Sequence, residues 1–459
     1  MYQELKNFSI APANIASYVG VLSQLMLHRD VKGLHRELLS LCEKNLGAYI
    51  GAGIEERKEI ESRPLLPASL CTIGEIALAG TPISKRIVTL LEVLISTTIS
   101  IPGTSSSSAV EEKSQLSPLS RAHSFVALGK VCLIDEPLAK KCVPIFIAEI
   151  QNAANEVVRN NILVIMCDLC VKYTAVVDKH ILRLSECIAD ASPLVRRNSI
   201  ALLTQLLAED YIKWRPMLFY RFLTALADPS PHVSKSAEFA VCILLPKRHS
   251  ALVFNNFIES IFFLNNFRQP IPAFGSVAQS PREAALFSLE GPGENEAKRK
   301  LIYKVLLNQL SMEQRLKLHG RLHTEVLSLF AEGTIPLSEA NNSRCVILDV
   351  LSILACREMK LNASAADTRA RSTSSAASLS SEITAVEAEA IVGGASELRN
   401  RLFAQVIKRH ISENVVPIII ELKRALEKCR SPLLKNVMLY MKEVMRDYKK
   451  EVDGRCCRK

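Results

Sequence analysis

The sequence predicts an all-α chain built as a stack of helical hairpins, and three observations carry that reading. A short phrase returns every 37 or 38 residues, as Val158-Arg159, Val195-Arg196 and Val233-Ser234. A turn phrase returns in step with it, Asp190-Ala-Ser-Pro193 and then Asp228-Pro-Ser-Pro231. Composition agrees: 48% of residues are hydrophobic but only 5% are aromatic. That balance suits many small helix–helix seams filled by Leu, Ile, Val and Ala, and strand-like alternation is scarce.

A fixed period of this length marks a helical-repeat solenoid, and a turn followed by Val-Arg is wording of the HEAT kind. The elements follow in order. Residues 1–100 read as a helical N-terminal segment with breaks at 51–53, 63–67 and 80–82. Residues 101–120 read as a linker, because Pro102, Gly103 and four consecutive serines at 105–108 leave too little apolar surface to order it. The repeat core spans 121–266 in four hairpins. The helix pairs are expected at 121–134 with 136–150, 157–173 with 175–189, and 193–208 with 212–227. The last hairpin runs from 231 to 266 and breaks at 246–249. Pro193 and Pro231 fall where a first-turn proline is tolerated, its missing N–H being unpaired there in any case.

Beyond the repeats, 267–300 reads as an irregular insertion containing Pro270, Pro272, Gly275, Pro281, Gly291 and Gly293. Residues 301–360 read as a helical continuation, and 361–381, small and polar, as a disordered insertion. Residues 382–452 read as three basic helices, with Pro417 and Pro432 near the starts of two, and 453–459 as a tail.

The chain holds 57 Lys and Arg against 47 Asp and Glu, a net charge of +10. Residues 399–459 alone carry 16 Lys and Arg against 7 Asp and Glu, so the closing stretch accounts for most of the imbalance. It is a candidate surface for nucleic acid or an acidic partner, or a solvated helix face. Most of the 13 cysteines, among them Cys132, Cys142, Cys167, Cys170, Cys187 and Cys242, lie in apolar helical stretches. That usage suits a reducing compartment, cytosol or nucleus. The first residues, with Glu4 and Lys6, lack a signal pattern. The longest apolar stretch, 87–101, is interrupted by Glu92 and several Thr and Ser, which does not suit a membrane span. A soluble intracellular protein is expected.

Signals for catalysis are missing from the sequence. It has neither the glycine spacing of a phosphate-binding loop nor a Gly-x-Ser-x-Gly elbow. Cys167 and Cys170 have metal-knuckle spacing, but inside an apolar helix without a second ligand pair, so they read as core. His319 and His323 stand four apart without the glutamate of a zincin helix and read as surface residues. No catalytic, metal or cofactor-binding residues are expected, and no cofactor. Ser117-Pro118 and Ser280-Pro281 fall in predicted loops open to a proline-directed kinase.

Arg159 and Arg196, with Asp190 and Asp228, are expected to form a ladder between adjacent repeats in preference to contacting DNA. Asp190 and Asp228 are also placed to accept the N–H groups of their turns. Arg197, Lys213, Lys247 and Arg248 are less constrained and available for DNA or an acidic partner. Lys408, Arg409, Lys423, Arg424, Lys428 and Arg430 form the densest basic run. Spaced along helices, such cations meet phosphates with salt-sensitive affinity and little sequence preference. Aromatic residues are few there (Phe403, Tyr440, Tyr448), which favours duplex over single strands.

Several phrases go beyond generic repeat wording. They are ALGKVCLIDEPLAKKCVPIFIAEI (127–150), EVVRNNILVIMCDLCVKYTAVVD (156–178) and SPLVRRNSIALLTQLLAEDYIKWRPMLFYRFLTALAD (192–228). All three closely resemble the C-terminal domain of the non-SMC D subunits of condensin. NVVPIIIELKRALEKCRSPLLKNVMLYMKEVMRDYKKEV (414–452) is similar to the condensin II version of that subunit, and LCTIGEIAL (70–78) with SKRIVTLL (84–91) fits the segment just upstream. The resemblance covers about 70–452. Family members are usually more than twice as long, so the chain looks like a C-terminal portion, a divergent short form or the product of a truncated gene model.

The resemblance implies a non-enzymatic regulatory HEAT subunit that binds a kleisin and double-stranded DNA. Its complex would include an SMC ATPase pair and a second HEAT subunit, and would condense mitotic chromosomes in the nucleus, with histone contact a further implication. The competing reading is an unrelated HEAT adaptor, such as a nuclear-transport or phosphatase scaffold, for which an acidic rather than basic partner-facing surface is expected.

Overall fold

The computed structural model describes residues 2–25, 30–96, 117–267, 280–336, 342–359 and 405–453. Among the described residues the regular structure is helix throughout. The chain divides into two compact units, Met1–Leu218 and Phe219–Lys459.

The first unit opens with α1 (Tyr2–Lys6), α2 (Ile15–Leu25), α3 (Val31–Gly51), α4 (Ile54–Glu61), α5 (Leu65–Leu78) and α6 (Lys85–Ile95). The repeats follow as α7 (Pro118–Cys132), α8 (Glu136–Asn152) and α9 (Glu156–Lys172). Two short pieces, α10 (Thr174–Val177) and α11 (Ile181–Leu184), are joined by tight 3₁₀ turns, and α12 (Pro193–Ala208) comes next. Polar caps set the starts: Asp30 accepts from Gly33 N–H, Ser84 from Ile87, Asp135 from Leu138 and Asn155 from Val157. Each such cap is worth about 1 kcal/mol. Helices α3, α5, α7, α9 and α12 pack in succession as one layer, while α6 sits against α3 and α7, and α8 against α7 and α9. Leu70, Ile73, Leu128, Phe146, Ile162, Leu163 and Leu203 are fully buried along these seams, each contributing roughly 1.5–3 kcal/mol.

The division between units falls within α13 (Pro216–Ala225). The second unit continues with α14 (Pro231–Phe239), α15 (Leu245–Arg248), α16 (Leu252–Leu264), α17 (Pro281–Phe287), α18 (Glu294–Gln309), α19 (Met312–Arg321), α20 (Ser328–Ala331) and α21 (Ser343–Ala355). It closes with α22 (Val416–Lys428), reached through helical residues 405–410, and α23 (Leu434–Asp453). Its centre is a buried polar node. Arg299 Nε donates to Asp349 Oδ2 at 2.7 Å and Nη2 to Oδ1 at 3.2 Å. Tyr303 O–H and Asn265 Nδ2 also donate to Asp349, at 2.9 and 2.8 Å. Arg299 Nη1 turns to the carbonyls of Leu289 and Gly291. A buried pair this fully bonded roughly offsets its own desolvation, so it serves mainly to join α16, α18 and α21 in one register.

Several expected boundaries shift. The insertion expected at 267–300 contains two helices, because its prolines and glycines act as caps. Ser280 accepts from Glu283 N–H with Pro281 in the first turn. Gly291 and Gly293, at φ +83° and +82°, make the left-handed turn into α18. The linker expected to run to residue 120 ends earlier, since Ser117 caps α7 from Ser120 N–H. Ser117 and Ser280 therefore stand at helix starts and not within loops. Helix α13 begins at Pro216, four residues later than expected, because proline favours the first helical turn. The fourth repeat breaks at His249, within the expected 246–249, while the helix runs on through Pro246. A π turn at Ala240–Leu244 widens the helix just ahead of it and absorbs the missing N–H. Ile411–Val415 does the same ahead of Pro417. Most of the linker, the insertion expected at 361–381, 382–404 within the basic block and all but the first residue of the tail lie outside the described residues.

Candidate partner groove and basic surfaces

In the first unit, α7 and α9 approach closely because Gly129 has no side chain. A Cβ there would stand 2.6 and 2.8 Å from the Ile165 side chain. Beside this contact lies a groove of ≈ 170 Å³ lined by Val126, Lys130, Leu133, Val164, Ile165 and Asp168. Lys130 pairs with Glu75 on α5. Crowding by the groove walls holds the Asp168 carboxyl above its ordinary range, and Lys130 pulls it back. The groove thus has an apolar floor, with Val164 38% exposed, and a cation facing an anion across it. Such a surface can take an extended segment carrying apolar anchors between charges.

The repeated Val-Arg phrase places its arginines at the turns. Arg159 Nε and Nη2 donate to the two Asp190 oxygens at 2.7 and 2.8 Å, linking α9 to the turn before α12. Arg159 Nη1 also donates to the carbonyls of Ala153 and Ala154, both at 2.8 Å. Arg196 repeats that second role one period later, donating to the carbonyls of Asp190 and Ala191 at 2.9 and 3.0 Å. Asp190 accepts from Ser192 N–H at 2.7 Å, and Asp228 from Ser230 N–H at 2.8 Å. Asn160 and Asn198 bond at 2.7 Å between α9 and α12.

The other basic candidates are divided between the two units. Arg197 and Lys213 are exposed in the first unit, and Lys247 and Arg248 are exposed at the end of α15 in the second. Lys408 and Arg409 are exposed, with Arg409 paired to Glu413 at 2.9 Å. Lys423 is half-buried and lies 3.5 Å from Glu427. Arg424, Lys428 and Arg430 are exposed, and Arg430 ends α22 in a left-handed conformation, φ +50°. Lys435 and Lys442 on α23 are exposed as well. Sequence reasoning passed over them because neither has a basic neighbour.

The histidines overturn their expectation. His319 and His323 are 8% and 0% exposed, because the helix face they share is the one that receives the C-terminal helices. His319 Nδ1 lies 3.2 Å from His410 Nε2, and His323 Nε2 lies 3.2 Å from the Tyr440 hydroxyl. Gly320 admits His410, whose Cε1 would stand 3.1 Å from a Cβ there. Burial holds His319, His323 and His410 below the ordinary imidazole range, His323 at about 4, with imidazole neighbours lowering the first two further. Cys167 and Cys170 are buried at 4% and 0% exposure, and burial pushes the Cys170 thiol up to about 11. Among the described residues no three His, Cys, Asp or Glu side chains gather to hold a metal, and no helix is long and apolar enough to cross a membrane.

The chain matches known families along most of its length. Models of condensin-2 complex subunit D3-like HEAT repeats match residues 64–150 and 358–456, and the model of the non-SMC mitotic condensation complex subunit 1 matches 157–326. Condensin-2 complex subunit D3-L of Xenopus laevis is 34% identical over 473 residues, covering 98% of this chain and 30% of that protein. Condensin-2 complex subunit D3 of Mus musculus is 32% identical with the same coverage, 98% and 30%. Condensin-2 complex subunit CAP-D3 of Arabidopsis thaliana is 33% identical over 74% of this chain and 25% of that protein. The chain spans less than a third of the length of these relatives. With its stacked helical hairpins, its arginine–aspartate turns and these matches in register along the sequence, the chain belongs to the condensin-2 subunit D3-like family of HEAT-repeat proteins.

Proposed function

We propose that this chain is a non-catalytic binding element of a condensin-2-type complex, holding a kleisin segment and duplex DNA. The observation that carries the reading is the α7–α9 groove, with its apolar floor of Val126, Leu133 and Val164 between Lys130 and Asp168. It fits an extended chain that orders on binding, the mode by which a solenoid holds a flexible partner. The exposed cations Arg424, Lys428 and Arg430 at the end of α22 suit duplex phosphates, because no large apolar side chain of α22 is exposed beside them. ATP hydrolysis then belongs to an SMC ATPase pair, and a second HEAT subunit completes the assembly. The chain works in the nucleus and on mitotic chromosomes, supporting their condensation and segregation, with histone contact as a further role.

The test is purification of the tagged chain from dividing cells, followed by mass spectrometry. Recovery of two SMC ATPases, a kleisin and a second HEAT subunit is expected. A photo-crosslinker at Val164 should then mark the kleisin. Recovery of transport factors or phosphatase subunits in their place would overturn the function and leave the fold untouched.

A further inference from the structure

Helix α23 presents to solvent a face of different chemistry from α22. Leu433, Val437 and Tyr440 are buried and hold it to the second unit. On the opposite side stand Met438, Leu439 and Met445, 42%, 59% and 53% exposed. Lys435, Lys442 and Arg446 interleave with them and are also exposed. At about 100° per residue these six positions fall in one stripe roughly 120° wide. Between Lys435 and Arg446 it contains no acidic residue; Glu443, half-buried, lies at its edge and pairs with Arg446 at 3.3 Å.

We infer that this stripe is a docking face for an acidic amphipathic helix of a partner protein. The inference goes beyond the kleisin-and-DNA reading and does not rest on it. Three large apolar side chains alternating with cations have two needs, removal from water and opposite charge. An acidic helix with apolar anchors at i, i+3 or i+4, and i+7 meets both at this spacing. Phosphates of a DNA backbone would engage the lysines and leave the Met and Leu side chains wet. A second copy of the same face would set like charges against each other. A lipid surface is less well matched, because the stripe has no Trp or Phe to seat at the interface. Two of the three anchors are methionine, whose flexible thioether adapts to a partner's contour.

The test uses the full chain and a labelled synthetic peptide, an amphipathic helix with leucines at that spacing flanked by glutamates, read by fluorescence anisotropy. The peptide is expected to bind, and its scrambled version of equal composition to bind far more weakly. Leu439→Ser with Met445→Ser, and separately Lys435→Glu with Lys442→Glu, should each weaken it about tenfold or more, the scale of interface anchors. Because all four side chains are exposed, the thermal melt should not move, and duplex DNA affinity should survive the Leu439→Ser/Met445→Ser change. Failure of the peptide to bind, or equal binding by the scrambled peptide or by the serine variant, would overturn the inference. So would capture by phosphatidylserine vesicles, dimerisation in light scattering, or duplex DNA binding that requires Leu439 and Met445.

Discussion

Replacing Arg159 with Met keeps the side chain's length and apolar stem but removes its charge and donors. The Arg159 and Asp190 side chains are only 12% and 9% exposed, so the pair is largely withdrawn from water. Two charge-assisted bonds of 2.7 and 2.8 Å are lost, and the Ala153 and Ala154 carbonyls lose their donor. Asp190 would be left with the Ser192 N–H at 2.7 Å as compensation. Breaking a buried pair by removing one partner costs about 3–5 kcal/mol, and the surviving N–H places this case near 3 kcal/mol. The single tryptophan, Trp214, lies in the first unit and reports its unfolding in urea by fluorescence. Arg159→Met should lower the midpoint by the equivalent of about 3 kcal/mol at unchanged slope. Arg197→Ala, at an exposed position one residue past the equivalent Arg196, should stay within about 0.5 kcal/mol. A loss below about 1 kcal/mol for Arg159→Met, the level of an exposed ion pair, would refute the view that this contact locks neighbouring repeats.

Further expectations follow from the same packing. Gly129→Ala drives a methyl into Ile165, whose branched side chain is stiff at χ1 in a helix, so a loss of about 1–3 kcal/mol is expected in the same urea assay. Stability of the second unit should fall with acidification. His323 in the folded state titrates at about 4 against 6.5 when free, so between those values only the unfolded chain takes up the proton. The cost grows to about 3 kcal/mol across that window and is absent above it. His323→Gln should flatten part of this slope in melts taken from about pH 7 to about pH 4, and an unchanged slope would argue against the buried neutral imidazole. Arg424→Glu with Lys428→Glu should weaken duplex DNA binding uniformly across sequences and reduce the salt slope by about 2, measured by anisotropy titration at several salt concentrations.

The repeat architecture was legible because its signals are local or periodic. Asp190, Ser192 and Pro193 build one turn within four residues, and Arg159 and Arg196 reach carbonyls five and six residues back. Steric and hydrogen-bond rules over so short a span act alike in any context, so each copy of the phrase announces itself. Pro246 misled the reading in detail, because after a π turn upstream the helix runs on through it to Arg248, whereas Pro417 stands where expected, in the first turn of α22.

The sequence by itself determined the hairpin period, the turn chemistry and the basic close of the chain. Only the tertiary structure decided which side chains leave water. His319 looked like a surface residue until His410, 91 residues later, was packed against it. Arg299 and Asp349 meet across 50 residues, and Met438 and Leu439 stay wet because Val437 and Tyr440 face inward. Burial depends on the sum of contacts a helix face finds after folding. For α19 and α23 those contacts come from segments that no local pattern brings together.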